Sequence, residues 1–588
     1  MAAAPAIAPP EPAATTPTLY LVLDIGSSSA RAAAIAPPTE SEAATTLATA
    51  TAVYAPPGAL SDEDGSADAA ALARTVDDVM TQVITHARVR EVLAPATAAA
   101  AAAVHPIHVA IVATSFVGNV MLVDAADGQP ATRLHTYAAH GGRVTAALAA
   151  LRAAAPPAVA ADIHNRTGAP LAAAYAPVAL RQWLDVGTHY LAGRHMTSLA
   201  SWVLWRWAGS DGTHPGMSLN EGAWNGLVNV ESGCWDSRTL TDLFPPDAAA
   251  AAAACLPRVP TVDTQLSHPR VGGALAAALS VAGVADPSAV VVSLHPPVGD
   301  GAAATFGSGA ALAAVTAPAG LEVAVTVGTS AAVRARLPLG AMRASAASGC
   351  TPATTGLWCY RITPHEVLVG GALTDGGSIT GSPGDSEDTT TAATTPSGVV
   401  CLPFFSGERA TGWRDTLRGA YLGVPPHTPP AELTRAAVEG VCFRLRAMAD
   451  GIAALAGAPG TPPAAVLASG GALLGFATWS SSLGTCCELR VHPQRPHTPH
   501  TTHTMPPCCS CNNGSTIADS AARGGWRGSY HRGRVGDGNW NSIWRPGGAA
   551  RARPRAAARH SGGICRCWRA ACRSVCSIHR ARCAAAGR

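Results

Sequence analysis

Lysine is absent from this 588-residue chain, so all 41 basic residues are arginine. The absence excludes whole chemistries. A Walker P-loop needs Gly-Lys-Ser/Thr, and an intact protein-kinase site needs a strand lysine. An enzyme that forms a Schiff base through lysine is excluded as well. Charged residues are scarce, at 13% against 48% hydrophobic. The chain can bury a sizeable core, although alanine supplies much of the apolar count and little area per residue. Its length suits two or three domains of about 100–200 residues each. No stretch of ~18 strongly apolar residues occurs, so no membrane span is expected. The first 18 residues lack a basic region, a long apolar core and any arginine. Neither a signal peptide nor a mitochondrial transit peptide is expected. Of the 16 cysteines, eight precede residue 500 and are scattered without C-x-x-C spacing, as in a reduced protein of the cytoplasm.

What is present divides the chain unevenly. Residues 491–588 hold 16 arginines and two acids, Asp519 and Asp537, a charge of +14; the preceding 490 residues hold 25 arginines and 36 acids, a charge of −11. The tail carries His492, His497, His500 and His503, then Cys508, Cys509 and Cys511. It could be a Zn²⁺ site, but the spacing matches no standard finger. Its arginines with Trp526, Trp540, Trp544 and Trp568 could bind nucleic acid. The favoured reading is out-of-frame or intronic translation in a GC-rich gene, which leaves a disordered tail and no nucleic-acid or membrane partner.

The body mixes strands and helices, an α/β pattern. Residues 1–17 are Ala/Pro/Thr-rich and expected to be disordered. Strands are expected at Leu19–Leu23, 109–116, near Val290, 321–330, 366–373 and 466–469. Helices are expected near 143–154, 177–186, 196–208 and 431–456. Two strands run into small-residue turns, DIGSSS and TVGTS, a hint of duplication.

Those turns carry the chemistry. Asp24-x-Gly26-Ser27-Ser28-Ser29-x-Arg31 can offer N–H and O–H donors to phosphate oxygens, and Asp24 a ligand to Mg²⁺. Arg31 adds a charge-assisted contact. Gly328-Thr329-Ser330 and Ser469-Gly470-Gly471 are similar turns. Gly299-Asp300-Gly301 presents an accessible carboxylate at a helix start. Each has an ordinary structural reading, as a β-turn, a glycine of positive φ or an N-cap. Three strand–turn elements in one chain favour a nucleotide cradle.

In their order along the chain, these elements resemble the FGGY family of carbohydrate kinases, from about Leu19 to about Val491. The C-terminal signature of that family is met by Gly419-Ala420-Tyr421-Leu422-Gly423-Val424 followed by Glu432-Leu433-Thr434-Arg435-Ala436-Ala437-Val438-Glu439. Arg166-Thr167-Gly168-Ala169-Pro170, PFFSGERATGW and Val369-Gly370-Gly371-Ala372-Leu373 resemble further blocks, the first of them closest to a gluconokinase-like branch. The resemblance implies two actin-like, ribonuclease H-like domains of the actin/hexokinase superfamily, 18–315 and 316–490, with a cleft between them. It implies an ATP- and Mg²⁺-dependent kinase acting on a sugar, sugar acid or polyol, gluconate-like favoured; a homodimer is compatible with it. Asp300 becomes the general base and Asp24 the Mg²⁺ ligand. Gly26, Ser27, Ser28, Ser29, Arg31, Gly328 and Thr329 face phosphates. Gly371 approaches the nucleotide phosphates, and Gly470 and Gly471 the nucleoside. Asn119 and Tyr175 join Asp300 as substrate contacts. Three places depart from the family. The sugar-binding segment at Tyr137 lacks its aspartate, a lysine near Ala179 is missing, and the 378–399 segment reads as a short loop. These departures motivate the alternative of a catalytically impaired homologue that binds nucleotide or sugar.

Overall fold

The structure, a computed structural model, describes residues 19–37, 44–55, 60, 63–94, 107–208, 216–259, 266–268, 271–284, 286–287, 290–313, 321–380, 398–475, 479, 482 and 491–493. The expectations for residues 1–17, for most of the 378–399 segment and for the tail beyond Pro493 lie outside them. Met1–Gln494 form one compact unit.

Two sheets organise this unit. The first has the order β3-β2-β1-β4-β9-β8, with β10 also paired to β4. Its strands are β1 Leu19–Ile25, β2 Ser29–Ala36, β3 Thr45–Val53, β4 His108–Ser115, β8 Leu266–His268, β9 Val291–Leu294 and β10 Val298–Gly299. Between β4 and β8 a small sheet forms from β5 Asn119–Asp124, β6 His135–Thr136 and β7 Arg194–Thr197. The second large sheet has the order β13-β14-β12-β11-β17-β18. It consists of β11 Glu322–Val327, β12 Ala331–Pro338, β13 Trp358–Arg361, β14 Glu366–Leu373, β17 Ala465–Ser469 and β18 Val491–Pro493. A hairpin of β15 Val400–Leu402 and β16 Ala420–Leu422 precedes β17.

The sheets repeat one pattern. β1 pairs antiparallel with β2 and parallel with β4, β2 antiparallel with β3, and β4 parallel with β9. In the second sheet β11, β12, β14, β17 and β18 stand in the same relations. The duplication hinted at by the two turns is therefore a duplication of topology. β18 carries the second sheet to Pro493, slightly past the expected boundary at 490.

Burial explains the elements. Leu19, Leu21, Leu23 and Ile25 alternate along β1 and are fully buried, the period-two pattern of a strand. The helix Ala69–Ile84 starts on Asp68, whose carboxylate accepts the Ala71 N–H, and covers this sheet with Leu72, Val76, Val79, Met80 and Val83. The long helix Pro430–Leu455 has proline at its start and buries Val438, Val441, Leu445, Met448 and Ile452 at helical spacing against the second sheet. The expected helix at 196–208 is shorter, Leu199–Trp207. Its first residues are β7, and the Ser198 hydroxyl, accepting the Ser201 N–H, caps the helix. Among the described residues no single helix is long and apolar enough to cross a membrane.

Candidate active site where the two sheets meet

Strand register brings the two expected acids together. Asp24 is one residue from the end of β1, and Ile25 pairs with Ser115 of β4. Ser115 pairs in turn with Gly299 of β10, and Asp300 follows at the first position of the helix Asp300–Ala313. β1 and β10 flank β4, so both carboxyl groups leave the C-terminal ends of parallel strands one strand apart, where open α/β sheets bind ligands. Burial and the nearby negative Asp24 push the Asp300 pKa up, while the Arg334 guanidinium and the Gly301 N–H oppose that shift; the net direction is upward. The Gly301 N–H lies 2.6 Å from Asp300 Oδ1.

The first turn is only partly as expected. Asp24 is bound by Arg31 Nη1 at 2.6 Å and accepts the Thr114 hydroxyl at 3.2 Å. Arg31 therefore spends its charge on Asp24. The Gly26 N–H is used within the turn, on the Ser29 carbonyl. Ser29 is buried at the start of β2, so it does not face a phosphate. Ser27 and Ser28 remain accessible, and Ser27 Oγ receives the Tyr137 hydroxyl at 3.3 Å. Mg²⁺ takes one or two carboxylates along with phosphate and water oxygens. A part-exposed Asp24 beside Asp300 fits that donor set. Among the described residues there is no cluster of three or more acids, histidines or cysteines that could form an all-protein metal cage.

The second sheet contributes a glycine-lined corner. The Gly328 N–H bonds the Ser330 carbonyl, and the Gly377 and Gly376 N–H groups bond the carbonyls of Gly328 and Thr329. A Cβ on Gly377 would lie 2.5 Å from both Ala472 Cβ and the Gly328 oxygen. Gly470 has φ +111° and a Cβ there would strike the Val327 carbonyl. Gly471 opens the short helix Gly471–Gly475 with open space beside it. Gly328, Thr329, Gly470 and Gly471 are thus brought together, with Gly376 and Gly377 as members that the sequence reading missed.

Three expectations need correction. Gly371 does not line this corner: a Cβ there would strike Met448 Sδ and lie 2.8 Å from Ala410 Cβ, so its missing side chain admits the long helix. Asn119 is fully buried and its amide is committed to Ser115, Phe116 and the Leu199 N–H. It fixes the start of the helix Leu199–Trp207 and does not touch a substrate. Tyr175 is buried, and its hydroxyl meets that of Tyr360 at 2.7 Å. It ties the two halves together.

Two arginines were also missed. Arg334 lies on β12 beside the Asp300 helix; a Cβ on Gly301 would be 2.7 Å from its Nε. Arg409, from the GERATGW loop, sits 6.0 Å over the Tyr137 ring. The available signal for Arg334 was an arginine that, like Arg336, alternates with the buried residues of the strand.

Comparison with known proteins follows this geometry. Residues 323–501 match the FGGY family of carbohydrate kinases, C-terminal domain. A glycerol kinase of Alcanivorax borkumensis is 25% identical over 307 residues, 50% of this chain and 54% of that one. A glycerol kinase of Xanthobacter autotrophicus is 37% identical over 83 residues, 13% and 17% of the two chains. The chain thus spans about half or less of the curated relatives it matches. Among solved structures, a gluconate kinase from Lactobacillus acidophilus superposes with TM-score 0.60 at 17% identity, over 82% of this chain and 87% of that one. A Plasmodium falciparum glycerol kinase with ADP gives 0.59 at 14% identity, again over 82% and 87%. The fold is the two-domain actin/hexokinase-like one.

Proposed function

We propose that this chain, whose residues 323–501 match the FGGY family of carbohydrate kinases, C-terminal domain, is a kinase of that family and transfers the γ-phosphoryl group of ATP to a hydroxyl of a sugar, sugar acid or polyol, gluconate-like favoured. One observation carries the proposal. Register puts Asp24 and Asp300 at the same end of the two strands that flank β4, and the second sheet sets Arg334 against the Asp300 helix.

Asp300 takes the proton of the acceptor hydroxyl as its oxygen bonds to the γ-phosphorus and the bond to the β,γ-bridging oxygen breaks, releasing ADP. A carboxylate suffices because positioning carries most of the rate. Ser27, Ser28 and the Gly328–Thr329 turn hold phosphate oxygens, and Gly470 and Gly471 leave room for the nucleoside. Mg²⁺, held at Asp24, would neutralise phosphate charge. Approach of the two halves excludes water that would otherwise accept the phosphoryl group.

The test is ATP turnover against gluconate, xylulose, ribulose and glycerol with Asp300→Asn as control. General-base catalysis is worth roughly 10²–10⁴-fold, so the variant should lose at least ~100-fold in turnover while binding ATP as the parent does. A variant that phosphorylates as fast as its parent would show that Asp300 is not the base.

A further inference from the structure

The turn that carries Asp300 has little ladder of its own, since β10 pairs with β4 at two positions, Val298 with Thr114 and Gly299 with Ser115. A short helix, Leu219–Trp224, supplies the rest. Its cap Ser218 donates its hydroxyl to the Pro297 carbonyl at 2.6 Å. The Asn220 amide oxygen accepts the Gly299 N–H at 2.7 Å. The Trp224 ring packs on Gly299, where a Cβ would lie 2.6 Å from its Cζ3. The helix is locked in turn by the buried Glu221, which completes the capping box with Ser218 and accepts the hydroxyls of Ser198 and Ser201.

Asn220 has a second contact. Its amide nitrogen donates to the Arg361 carbonyl on β13 at 2.8 Å. The side chain is 2% exposed. A backbone N–H only donates and a carbonyl only accepts, so the group between them must carry one acceptor and one donor. An amide does, in one orientation; an ionised carboxylate or an aliphatic chain of the same size does not. One side chain thus fastens the residue before Asp300, in the first half, to the edge strand of the second. The seam bond from His164 to the Leu357 carbonyl reaches the start of β13 without touching the Asp300 turn. We propose that Asn220 is the positioning residue of Asp300: it sets the turn against β13 and so aims the carboxyl, while itself touching neither nucleotide nor acceptor.

This rests on the kinase reading above, in which Asp300 is the base, and the test separates the two. Misplacing a reacting group by about 1 Å costs roughly 100-fold in rate. With the best acceptor among gluconate, xylulose, ribulose and glycerol, folded Asn220→Ala should lose ~10- to 100-fold in kcat, with the KM for ATP within about twofold of the parent. His164→Ala removes a seam bond of the same kind away from the turn, and its kcat should stay within about twofold. Asn220→Asp gives a readout that a structural role would not move. Ionised, its carboxylate accepts the Gly299 N–H but sets a lone pair against the Arg361 carbonyl; protonated, it makes both bonds. The charged groups packed around it are engaged elsewhere, Glu221 by Ser198 and Ser201, and the Arg361 guanidinium by the carbonyls of Val230, Thr363 and Pro364. The kcat of Asn220→Asp relative to the parent should therefore rise at least ~3-fold as the pH is lowered from about 8 to about 6. Parental kcat in folded Asn220→Ala, an equal loss in His164→Ala, or a ratio for Asn220→Asp that does not move with pH overturns the proposal. If the parent turns over no acceptor, the kinase reading is lost and urea unfolding decides the positioning role. The raised pKa of Asp300 makes the stability of the parent, less that of Asp300→Asn, fall as pH rises above ~4. In the Asn220→Ala background the released carboxyl should return toward its ordinary value, and the fall should shrink. An equal fall in both backgrounds overturns the positioning role.

Discussion

At the scale of single residues, Asp300 is pulled in two directions. Burial and Asp24 disfavour its ionised form, and Arg334 with the Gly301 N–H favour it. In the proposed role of general base, a raised pKa would bring Asp300 closer in basicity to an acceptor hydroxyl. Glycines show the same need for local reading. Gly470 is required by its positive φ under the Val327 carbonyl, whereas Gly371 is required by Met448. Gly371→Ala should therefore act as an overpacking change of about 1–3 kcal/mol, read as a lower urea midpoint. Affinity for ATP, measured by calorimetry on the folded variant, should stay within about twofold. A loss of ATP affinity larger than the loss of stability would return Gly371 to the nucleotide site.

At the scale of elements, the loop from Phe404 to Trp413 is held by a buried acid. Glu408 is 1% exposed and accepts Arg414 at 2.8 Å and Arg444 at 2.7 Å. Asp375 holds Ser406 through both its N–H and its hydroxyl, and the Trp413 indole N–H bonds the Gly356 carbonyl. Removing the acid leaves Arg444, mostly buried, without its counter-charge. Glu408→Gln should cost about 3 kcal/mol in denaturant unfolding, and adding Arg444→Met should recover a large part. If the double variant is no more stable than the single one, the cost lies in packing and not in the stranded charge. The sequence showed this loop as a block and not as a device, because an acid between two arginines distant in sequence has no spacing to read. The long helix Pro430–Leu455 was legible because Val438, Val441, Leu445 and Met448 are large and periodic. β2 and β3 were not, since SARAAAIA and TTLATATAV carry alanine and threonine where a strand usually shows bulky side chains. Asp300 was legible through its glycine neighbours. Arg334 was not, because its meaning depends on which helix the opposite sheet lays beside it.

At the scale of the whole molecule, the two halves are sewn together along β13. The Cys359 N–H bonds the Gly168 carbonyl, and His164 Nε2 lies 2.8 Å from the Leu357 carbonyl. The Asn220 amide donates to the Arg361 carbonyl, and Arg361 to that of Val230. Gly168, at φ +68°, lets the Cys359 carbonyl approach where any side chain would collide. The RTGAP segment is thus a seam, with Arg166 anchored by Asp162, Asp236 and Asp242. The Tyr175–Tyr360 hydroxyl pair closes it, and burial pushes Tyr175 up to about 12 and Tyr360 well above its ordinary value. An unfolded tyrosine ionises near ~10. Below that pH both states keep the proton and the seam contributes in full. As pH rises from ~10 toward 12, the unfolded chain releases protons that the native state retains, so stability falls. Each such group contributes up to about 1.4 kcal/mol per pH unit. Urea unfolding at pH 8, 9, 10 and 11 should show a flat region and then a decline in the parent. Tyr175→Phe should be less stable at pH 8 by about 1–3 kcal/mol, since it strands the Tyr360 hydroxyl, and should decline less steeply above pH 10. Identical alkaline slopes in parent and variant would mean that solvent reaches the pair, and that the seam is held by its backbone bonds alone.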